Sequence, residues 1–451
     1  MWRWLLVLGL AVGNPVLAQD LPRRADPVEA LPGAGRPVAK AVFAARRAAL
    51  LAHTGPGVAI VPAGSRADIE ADVRQDNDFR QDDDFFYLTG VETPDAWLVL
   101  ASDGSAGEAI LLLPAANPMM QRWTGSQLAP GPDAAALTGI ADVRAFDRDS
   151  LTDLLAARLA GGSLYTPVGN RRTAPFVAAV EEQGWPTADL RPILDSLRLV
   201  KDDAGIAALR AAAAITAAGV TEGMRTVRPG MFEYQLEAVV EYTFRDLGAD
   251  RLGFPSIVGS GPNSTVLHYD ANRRRMTSGD LVVVDVGAEY AYHTADVTRT
   301  FPVSGRFTDR QRALYDLVLA TQRAVIDGVR PGATLADLNG IARRYLAEHG
   351  GDLCGLPSEQ GCAPLMIHGV SHWLGMRVHD VGDFRTPLAP GMVLTIEPGL
   401  YRPDEGIGIR IEDDVLVTDE GADVLTAGAV KTADDIETLM ARAAGRADTR
   451  E

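Results

Sequence analysis

The stretch LVVVDVGAEYAYHTADVTRTFP (281–302) carries two aspartates, each next to a short apolar run. The valines before Asp285 are typical of a buried strand, and Asp296 follows eleven residues later, after a turn around Tyr290 and Tyr292. An antiparallel hairpin of this size returns the second aspartate beside the first. The alternative is a pair of solvated carboxylates on an edge strand, which the valine run disfavours. Because a buried, unpaired carboxylate is costly, the hairpin predicts a bound cation.

Three more metal-type side chains follow in similar apolar surroundings: His372, Glu397 and Glu412. Four carboxylates and one imidazole make physical sense in one core only if cations neutralise them. Such an oxygen-rich set suits a pair of divalent ions, with Mn²⁺ as the natural candidate.

Histidine is concentrated around the first of these residues. His368, His372 and His379 lie within twelve residues, although the whole chain has seven histidines. A single histidine is more often structural than functional, but three of them beside paired glycines indicate a site.

The stretch IGIRIEDD (407–414) alternates isoleucine with glycine and charged residues. A single strand over these residues would place Arg410, Glu412 and Asp414 on one face. For Glu412 the alternative is a plain surface pair with Arg410, which contributes little on its own.

The bulk composition sets the class of protein. A chain of 451 residues predicts two domains, and 47% hydrophobic with 23% charged residues is typical of a folded protein. The net charge of −17 argues against nucleic acid or an anionic membrane surface as a partner. It is compatible with peptide or small-molecule substrates.

The N-terminus has the pattern of a signal peptide over residues 1–18. Arg3 supplies the positive charge, residues 5–12 the apolar region, and residues 16–18 a cleavage signal before Gln19. A membrane anchor is the alternative, but the apolar run is short for a span. We therefore expect an exported protein, periplasmic or secreted. The two cysteines, Cys354 and Cys362, could then form a disulfide or remain free thiols, and the sequence leaves both open.

The remaining chain divides into four predicted regions. Residues 19–40 are rich in Pro, Ala and Gly and predict a flexible lead-in. Strand-like runs at 58–61, 97–100 and 109–113 and a helical run at 151–160 predict an α/β domain over 41–190. A boundary near Pro192 precedes a long alanine-rich helix, with Asp202 or Asp203 as its N-cap. The second domain is predicted over 191–440 and a C-terminal tail over 441–451.

The second domain contains an internal repeat. The sequence VRPG occurs at 227–230 and again at 329–332, each time between two predicted helices. The helix before the second copy begins with a capping box from Thr308 to Gln311, and the helix after it begins at Thr334. Chance recurrence of a four-residue turn is the alternative, but the matching flanks favour duplication. Two helix–helix–strand units facing each other would form a pseudo-symmetric domain with a site at their seam.

The same residues carry a resemblance to a known family. The second domain resembles the pita-bread metallopeptidases, a group that includes methionine aminopeptidase, prolidase and aminopeptidase P, and is most similar to aminopeptidase P, also called Xaa-Pro aminopeptidase (family M24). The matching motifs are VVVDVGAEYAYHTADVTRTFPVSG (282–305), HGVSHWLGMRVHDVG (368–382), GMVLTIEPGLY (391–401) and GIGIRIEDDVLV (406–417). FRQDDDFFYLTGVETPDAW (79–97) resembles the signature of that family's non-catalytic domain. The resemblance implies a creatinase/ribonuclease-H-like N-terminal domain before a pita-bread catalytic domain.

The resemblance also implies roles for individual residues. Two Mn²⁺ ions are implied, with Asp285 on the first, Asp296 and Glu412 bridging both, and His372 and Glu397 completing the second. The resemblance further implies that His379 stabilises the substrate carbonyl, that His268 lines the substrate cleft, and that His368 lies near the scissile bond. It also implies that Glu397 transfers a proton, that Arg410 holds Asp296 or a neighbouring carboxylate, and that Thr298 supports the metals.

The implied reaction is hydrolysis of the first peptide bond in substrates with proline at the second position, by a hydroxide between the metals. A prolidase is the nearest alternative, and it would need a cation such as Arg385 or Arg402 to receive the carboxylate of a dipeptide. A metal-free binding protein on the same scaffold is a remote alternative, because such a protein would be expected to lack ligands. The family resemblance implies a homo-oligomer, either a dimer or a tetramer.

Overall fold

The computed structural model describes residues 38–65, 79–102, 107–159 and 162–448. The predicted signal peptide (1–18) and nearly all of the predicted lead-in (19–40) lie outside these residues. The first described helix, α1, begins at Lys40.

The N-terminal half is built on a six-stranded sheet. Its strands are β1 (Gly57–Pro62), β2 (Trp97–Ser102), β3 (Gly107–Leu113), β4 (Asp142–Ala145), β5 (Ser163–Thr166) and β6 (Thr187–Asp189), in the spatial order β4-β3-β2-β1-β5-β6. The central strand pairs β1–β2 and β2–β3 are antiparallel, and the outer pairs are parallel. Helices α1 (Lys40–His53), α2 (Asp83–Thr89), α3 (Pro118–Thr124), α4 (Pro132–Thr138), α5 (Arg148–Arg158), α6 (Ala174–Glu182) and α7 (Arg191–Leu199) connect the strands or flank the sheet. The predicted α/β class is confirmed.

The side chains of β1 point alternately to the two faces of the sheet, and they divide the core of this half into two layers. Ala59 and Val61 pack with residues of α1, α2 and α7, whereas Val58 and Ile60 pack with residues of α5 and α6. Successive side chains of a strand point to opposite faces, so helices cover both faces of the sheet. Leu194 of α7 belongs to the first layer, so this core extends past the predicted boundary between residues 190 and 191.

The C-terminal half alternates helix pairs with small sheets. It begins with α8 (Asp203–Thr226) and α9 (Glu233–Asp246), followed by β7 (Arg251–Leu252), β8 (Ile257–Ser260), β9 (Leu281–Val286), β10 (Ala288–Tyr290), β11 (His293–Thr294) and β12 (Val297–Pro302). Then come α10 (Asp309–Ile326) and α11 (Leu335–Gly350), followed by β13 (Val393–Ile396), β14 (Gly399–Arg402), β15 (Ile407–Arg410), β16 (Asp413–Val417) and β17 (Ala422–Val424). The final helix, α12 (Ala433–Asp448), covers most of the predicted tail.

The two VRPG turns occupy equivalent places in this half. Gly230 lies between α8 and α9 with a φ of 93°, and Gly332 lies between α10 and α11 with a φ of 88°. These left-handed conformations favour glycine. Each helix pair is followed by a three-stranded sheet, β12-β9-β8 after the first and β13-β16-β17 after the second. The predicted order of two helix–helix–strand units is therefore present.

The hairpin predicted around the two aspartates is also present. Strand β12 pairs with β9 in antiparallel fashion, which places Thr298 opposite Asp285. The tip is the short pair β10–β11, where Ala291 and Tyr292 have φ values of 50° and 64°. Positive φ at both positions gives the twist that tight hairpins prefer.

Cys354 and Cys362 form a disulfide, with Cα atoms 5.3 Å apart. The bond closes a short loop after α11 and resolves the choice that the sequence leaves open. Among the described residues, α8 is the helix that is long and apolar enough to cross a membrane, and 61% of its most apolar window is buried inside the fold.

Candidate metal centre

Both helix–helix–strand units contribute donors to one cleft of about 490 Å³. From the first unit, Asp285 lies in β9 and Asp296 directly precedes β12. From the second unit come His372, Glu397 directly after β13, and Glu412 just before β16. All five side chains line the cleft, so residues more than 120 positions apart in sequence share one site.

Backbone hydrogen bonds fix the donors of the second unit. Thr395 N–H donates to His372 O at 2.9 Å, and Glu397 N–H donates to Val370 O at 2.8 Å, so the histidine segment runs beside β13. Glu412 N–H donates to Thr298 O at 3.0 Å, which ties the second unit to the hairpin of the first. The seam between the units is therefore hydrogen-bonded at the site itself.

The donor atoms converge on His372. Its Nε2 lies 3.4 Å from Asp296 Oδ2, 3.7 Å from Glu397 Oε1 and 3.9 Å from Glu412 Oε1. Donor atoms of Asp296, His372 and Glu412 all lie within 4.8 Å of one another. His372 Nδ1 contacts Trp373 O at 3.2 Å, and since a carbonyl can only accept, this nitrogen carries the proton. Nε2 then presents its lone pair to the carboxylates, as in a metal ligand.

The electrostatics of the cluster favour bound cations. Burial, and then the charges of Glu412 and Asp285, raise the pKa of Asp296 well above its usual value. Burial and Glu412 do the same to the pKa of Glu397, and burial with Asp285 raises the pKa of Glu412 to about 8. Oδ1 atoms of Asp285 and Asp296 are buried without a hydrogen-bond partner. Buried polar atoms normally have partners, so these two oxygens fit cation ligands.

A layer of hydrogen bonds orients the carboxylates from behind. Thr298 Oγ1 donates to Glu412 Oε2 at 2.6 Å. Arg410 donates from Nη2 to Asp285 Oδ2 at 2.6 Å and from Nε to Thr298 Oγ1 at 3.0 Å. Of the two options that the sequence gives for Arg410, the structure selects a neighbouring carboxylate, Asp285, over Asp296. Asp296 is fixed instead by its own N–H, which donates to both oxygens of Asp414 at 3.2 Å.

The prediction of one continuous strand over 407–414 is wrong. The chain pairs with β14 up to Arg410 and with β13 from Asp413 onward, and the two strands are separated by Ile411 and Glu412. The change of partner turns the backbone, so Arg410 and Glu412 line the cleft whereas Asp414 lies behind Asp296.

Three further histidines line the cleft, as the sequence predicts: His268, His368 and His379. The ring of His379 meets the ring of His372 edge-on at 4.4 Å. Burial, and then the nearby His268, lower the pKa of His379. Burial and Arg410 lower the pKa of His368 to about 4. His368 and His379 are therefore neutral at pH 7.

One residue of the site has no role in the sequence analysis. Tyr401 Oη accepts from Arg410 Nη1 at 3.0 Å and lies 2.8 Å from His368 Nε2. His368 Nδ1 is 2.7 Å from the carbonyl of Gly369 and so carries the proton, which makes Nε2 the acceptor for the tyrosine hydroxyl. Tyr401 thus connects Arg410 to His368. It lies in the quoted motif at 391–401, but a tyrosine in an apolar strand gives no physical signal of this contact.

A cluster of buried charged side chains lies behind the site, and the sequence patterns did not predict it. Arg299 donates to Asp413 Oδ1 at 2.6 Å, and Lys431 donates to Asp413 Oδ2 at 2.6 Å. Both Arg299 and Asp413 have fully buried side chains. These contacts fix the backbone next to Glu412. The paired residues are 114 and 18 positions apart in sequence, so no local pattern could predict the contacts.

The two arginines considered as carboxylate receptors do not line the cleft. Arg402 donates to Cys354 O at 2.8 Å and pairs with Asp404, and Arg385 is exposed on another segment. Among the described residues that line the cleft, Arg410 is the single lysine or arginine. It already forms an ion pair with Asp285.

Comparison with known proteins agrees with this geometry. The model of metallopeptidase family M24 matches residues 207–419, and the model of the aminopeptidase P N-terminal domain matches residues 43–165. The chain is 37% identical to the Xaa-Pro aminopeptidase of Escherichia coli, over 90% of this chain and 99% of that protein. The structure of E. coli aminopeptidase P with the inhibitor Pro-Leu superposes with a TM-score of 0.83 at 36% identity, covering 90% of this chain and 99% of that one. A putative aminopeptidase P from Bacillus anthracis gives a TM-score of 0.84 at 32% identity, covering 89% and 98%.

Proposed function

Because this chain belongs to metallopeptidase family M24 and carries the aminopeptidase P N-terminal domain, we propose that it releases the first residue from peptides with proline at the second position. The observation that carries this proposal is the convergence of Asp285, Asp296, His372, Glu397 and Glu412 in one cleft. Family membership makes the protein a divalent-metal hydrolase, and the proposal adds the substrate, the ion and the roles of the residues.

We propose two Mn²⁺ ions as the metal complement. Four carboxylates and one imidazole form an oxygen-rich donor set, which suits manganese. Asp285 would hold one ion, His372 and Glu397 the other, and Asp296 and Glu412 both. The unpartnered Oδ1 atoms of Asp285 and Asp296 support this assignment. When bound, such ions polarise a peptide carbonyl and make a water molecule acidic enough to act as a nucleophile at neutral pH.

The histidines of the cleft would handle the peptide. A neutral imidazole has one N–H to donate, and His379, beside His372, is placed to donate to the oxygen of the scissile carbonyl. His268 lines the same cleft and would contact the peptide from the opposite unit. His368 already accepts from Tyr401, so its remaining donor faces Gly369 O and, at 3.5 Å, Glu397 Oε2.

Glu397 would move the proton. Attack of water releases a proton, and the departing prolyl nitrogen needs one before it can leave. Glu397 lines the cleft, and its Oε2 lies 3.5 Å from His368 Nδ1. We propose that its carboxylate takes the proton from water and passes it to the nitrogen.

The lining of the cleft favours an aminopeptidase over a prolidase. A dipeptide brings its carboxylate next to the scissile bond, and that charge would need a cation inside the cleft. The described lining offers Arg410 alone, and Asp285 already pairs with it at 2.6 Å. Apolar side chains of Phe254, Ile257 and Val378 line the remaining wall and suit a proline ring. The complete donor set also argues against a metal-free binding protein.

The decisive experiment measures hydrolysis against peptide length. Purified protein, depleted with chelator and reloaded with Mn²⁺, is given Xaa-Pro dipeptides, Xaa-Pro-Xaa tripeptides and longer Xaa-Pro peptides. We expect cleavage of tripeptides and longer peptides, and little cleavage of dipeptides. Faster cleavage of dipeptides would replace the proposal with prolidase activity. Asp296→Asn should lose both bound metal and turnover, whereas Glu420→Gln, an exposed charge loss, should keep both.

We further propose that the mature protein is exported and begins at Gln19. The pattern of residues 1–18 and the Cys354–Cys362 disulfide, a bond typical of oxidising compartments, support this proposal. Cell fractionation and N-terminal sequencing of the mature protein test it. An uncleaved N-terminus in the cytoplasmic fraction would refute it.

We also propose a homo-oligomer, a dimer or tetramer. In α3, Met119 is 71% exposed and Trp123 is 65% exposed, and such large apolar side chains are candidates for a contact between copies. Light scattering coupled to gel filtration measures the mass directly. A monomer at micromolar concentration would contradict this proposal.

A further inference from the structure

The two site histidines His372 and His379 are joined by one short loop, residues 372–380, which we call the histidine loop. The loop is held closed by two hydrogen bonds: Asp380 N–H donates to the backbone oxygen of Trp373 at 3.0 Å, and Met376 N–H donates to the side-chain Oδ2 of Asp380 at 3.2 Å. Asp380 therefore fixes the shape of the loop directly after His379. Its carboxylate is 1% exposed.

Gly375 is required by this arrangement. A side-chain carbon at position 375 would lie 2.1 Å from Asp380 Oδ2, closer than van der Waals contact permits. The buried carboxylate thus occupies the space that glycine leaves free.

The nearest cationic partner of this carboxylate comes from the N-terminal half, while Lys201 Nζ lies farther away, at 3.7 Å from Asp380 Oδ2. Arg198, in the last turn of α7, donates from Nη2 to Asp380 Oδ1 at 2.7 Å and from Nη1 to Asp84 Oδ1 at 2.7 Å. Its side chain is 6% exposed. Helix α7 packs through Leu194 into the N-terminal core, so Arg198 is anchored in the N-terminal half while its charge lies against the histidine loop.

Further N-terminal residues hold the middle of the same loop. Arg80 donates to Met376 O at 2.7 Å and to Asp83 Oδ1 at 2.6 Å. Asp83 in turn accepts from Arg377. The histidine loop is thus contacted from the N-terminal half at Met376, Arg377 and Asp380, between and beside the two histidines.

We infer that Arg198 is a positioning residue, through which the N-terminal half sets the orientation of His379 and His372 by holding Asp380. The inference rests on the proposed function for its catalytic consequence. The N-terminal half would then affect catalysis in the same chain, although none of its described residues lines the cleft.

Arg46 provides a matched control. It also lies in the N-terminal half, and its side chain is 7% exposed. It pairs with Asp202 at 2.8 Å, across the same junction, but makes its hydrogen bonds to Asp202 and Tyr87 and none to the histidine loop. Arg46→Gln therefore removes the ion pair of a similarly buried arginine, whose partner Asp202 is 38% exposed, without removing a hydrogen bond to the loop.

The experiment compares Arg198→Gln with Arg46→Gln, and uses Arg198→Lys as a milder variant should the first fold poorly. Each protein is loaded with Mn²⁺, its metal content is measured, and rates are expressed per loaded site. Turnover of an Xaa-Pro-Xaa peptide is measured beside amide hydrogen exchange of the histidine loop by mass spectrometry. We expect Arg198→Gln to lower kcat about 10- to 100-fold with a smaller change in KM, because misplacing a reacting group by about 1 Å costs about this much. Exchange of the loop should rise in Arg198→Gln and stay near the wild-type rate in Arg46→Gln, with Arg198→Lys between them.

Two results would overturn the inference. One is equal exchange and equal kcat in the two glutamine variants. The other is faster exchange of the loop with wild-type kcat, which would show that the contact holds the loop without serving the reaction. The exchange comparison needs no substrate, so a wild-type protein that cleaves no Xaa-Pro peptide would refute the proposed function while the loop contact is still judged by exchange.

Discussion

Replacing Glu412 with glutamine should stabilise the metal-free protein and destabilise the metal-loaded one. Burial, and then Asp285, raise the pKa of Glu412 from 4.5 to about 8 in the folded chain. Since the folded-state pKa lies above the unfolded one, the contribution of this carboxyl is fully present below about pH 4.5 and is lost as pH rises through 8. At pH 8 the carboxylate must be either buried as a charge or kept protonated at a cost.

The magnitude follows from the linkage between protonation and folding. Each tenfold change in a protonation equilibrium is worth about 1.4 kcal/mol. The raised pKa of Glu412 therefore lowers the free energy of unfolding of the metal-free protein at pH 8 by about 4 kcal/mol. Asp296 and Glu397 share the same field, so protons distribute over the three groups, and about 4 kcal/mol is an upper value for Glu412 alone. Glutamine carries no charge, and its oxygen can still accept from Thr298, which is 2.6 Å from Glu412 Oε2.

The assay is urea unfolding of wild-type and Glu412→Gln protein at pH 5 and pH 8, in chelator and with Mn²⁺. In chelator, wild-type protein should lose stability from pH 5 to pH 8, and Glu412→Gln should be the more stable protein at pH 8. With Mn²⁺ the wild-type protein should be the more stable of the two. The variant lacks one of the side chains that would hold the metal, so Mn²⁺ stabilises its folded state less. Glu420→Gln, which removes an exposed charge, controls for the net charge of −17. A metal-free Glu412→Gln protein that is less stable than wild type at pH 8 would falsify the reasoning.

Three further outcomes are expected. Tyr401→Phe should destabilise the protein by about 1–3 kcal/mol in urea unfolding, because Arg410 Nη1 and His368 Nε2 both lose a buried partner; an unchanged midpoint would contradict the assigned contacts. The double change Cys354→Ser with Cys362→Ser should cost about 2–3 kcal/mol, the loop-closure value for so short a loop, and a reducing agent should lower the Tm of wild type but not of the variant; equal Tm values for both proteins would count against a stabilising disulfide. Gly375→Ala should lower kcat by about tenfold or more through displacement of Asp380, and wild-type kcat would refute the steric argument.

Local sequence patterns predicted the elements that carry the site. The valine run before Asp285 identified a buried strand, and the capping box at Thr308 and Gln311 marked the start of a helix that the structure places at Asp309–Ile326. The VRPG recurrence identified two comparable units, because a turn that needs a left-handed glycine constrains its sequence strongly. Such features depend on residues close together in the chain.

The contacts that orient the site could not be predicted in the same way. Arg410 bonds Asp285 across 125 residues, and Arg198 bonds Asp380 across 182 residues. The side chain that an arginine reaches depends on the packing of whole units, which no periodicity encodes. The break at Ile411 and Glu412 has the same origin, since the alternation of isoleucines cannot show that a strand changes its neighbour.

The division of donors between the two units has a consequence for unfolding. Asp285 and Asp296 belong to one unit and His372, Glu397 and Glu412 to the other, so neither unit holds a full coordination sphere alone. An ion bound at the seam would link the two units, because separating them would break its coordination, so its binding free energy would add to the cost of partial opening. Loading with metal should therefore merge the melting of the two units into a single transition and protect the joint between them from proteases.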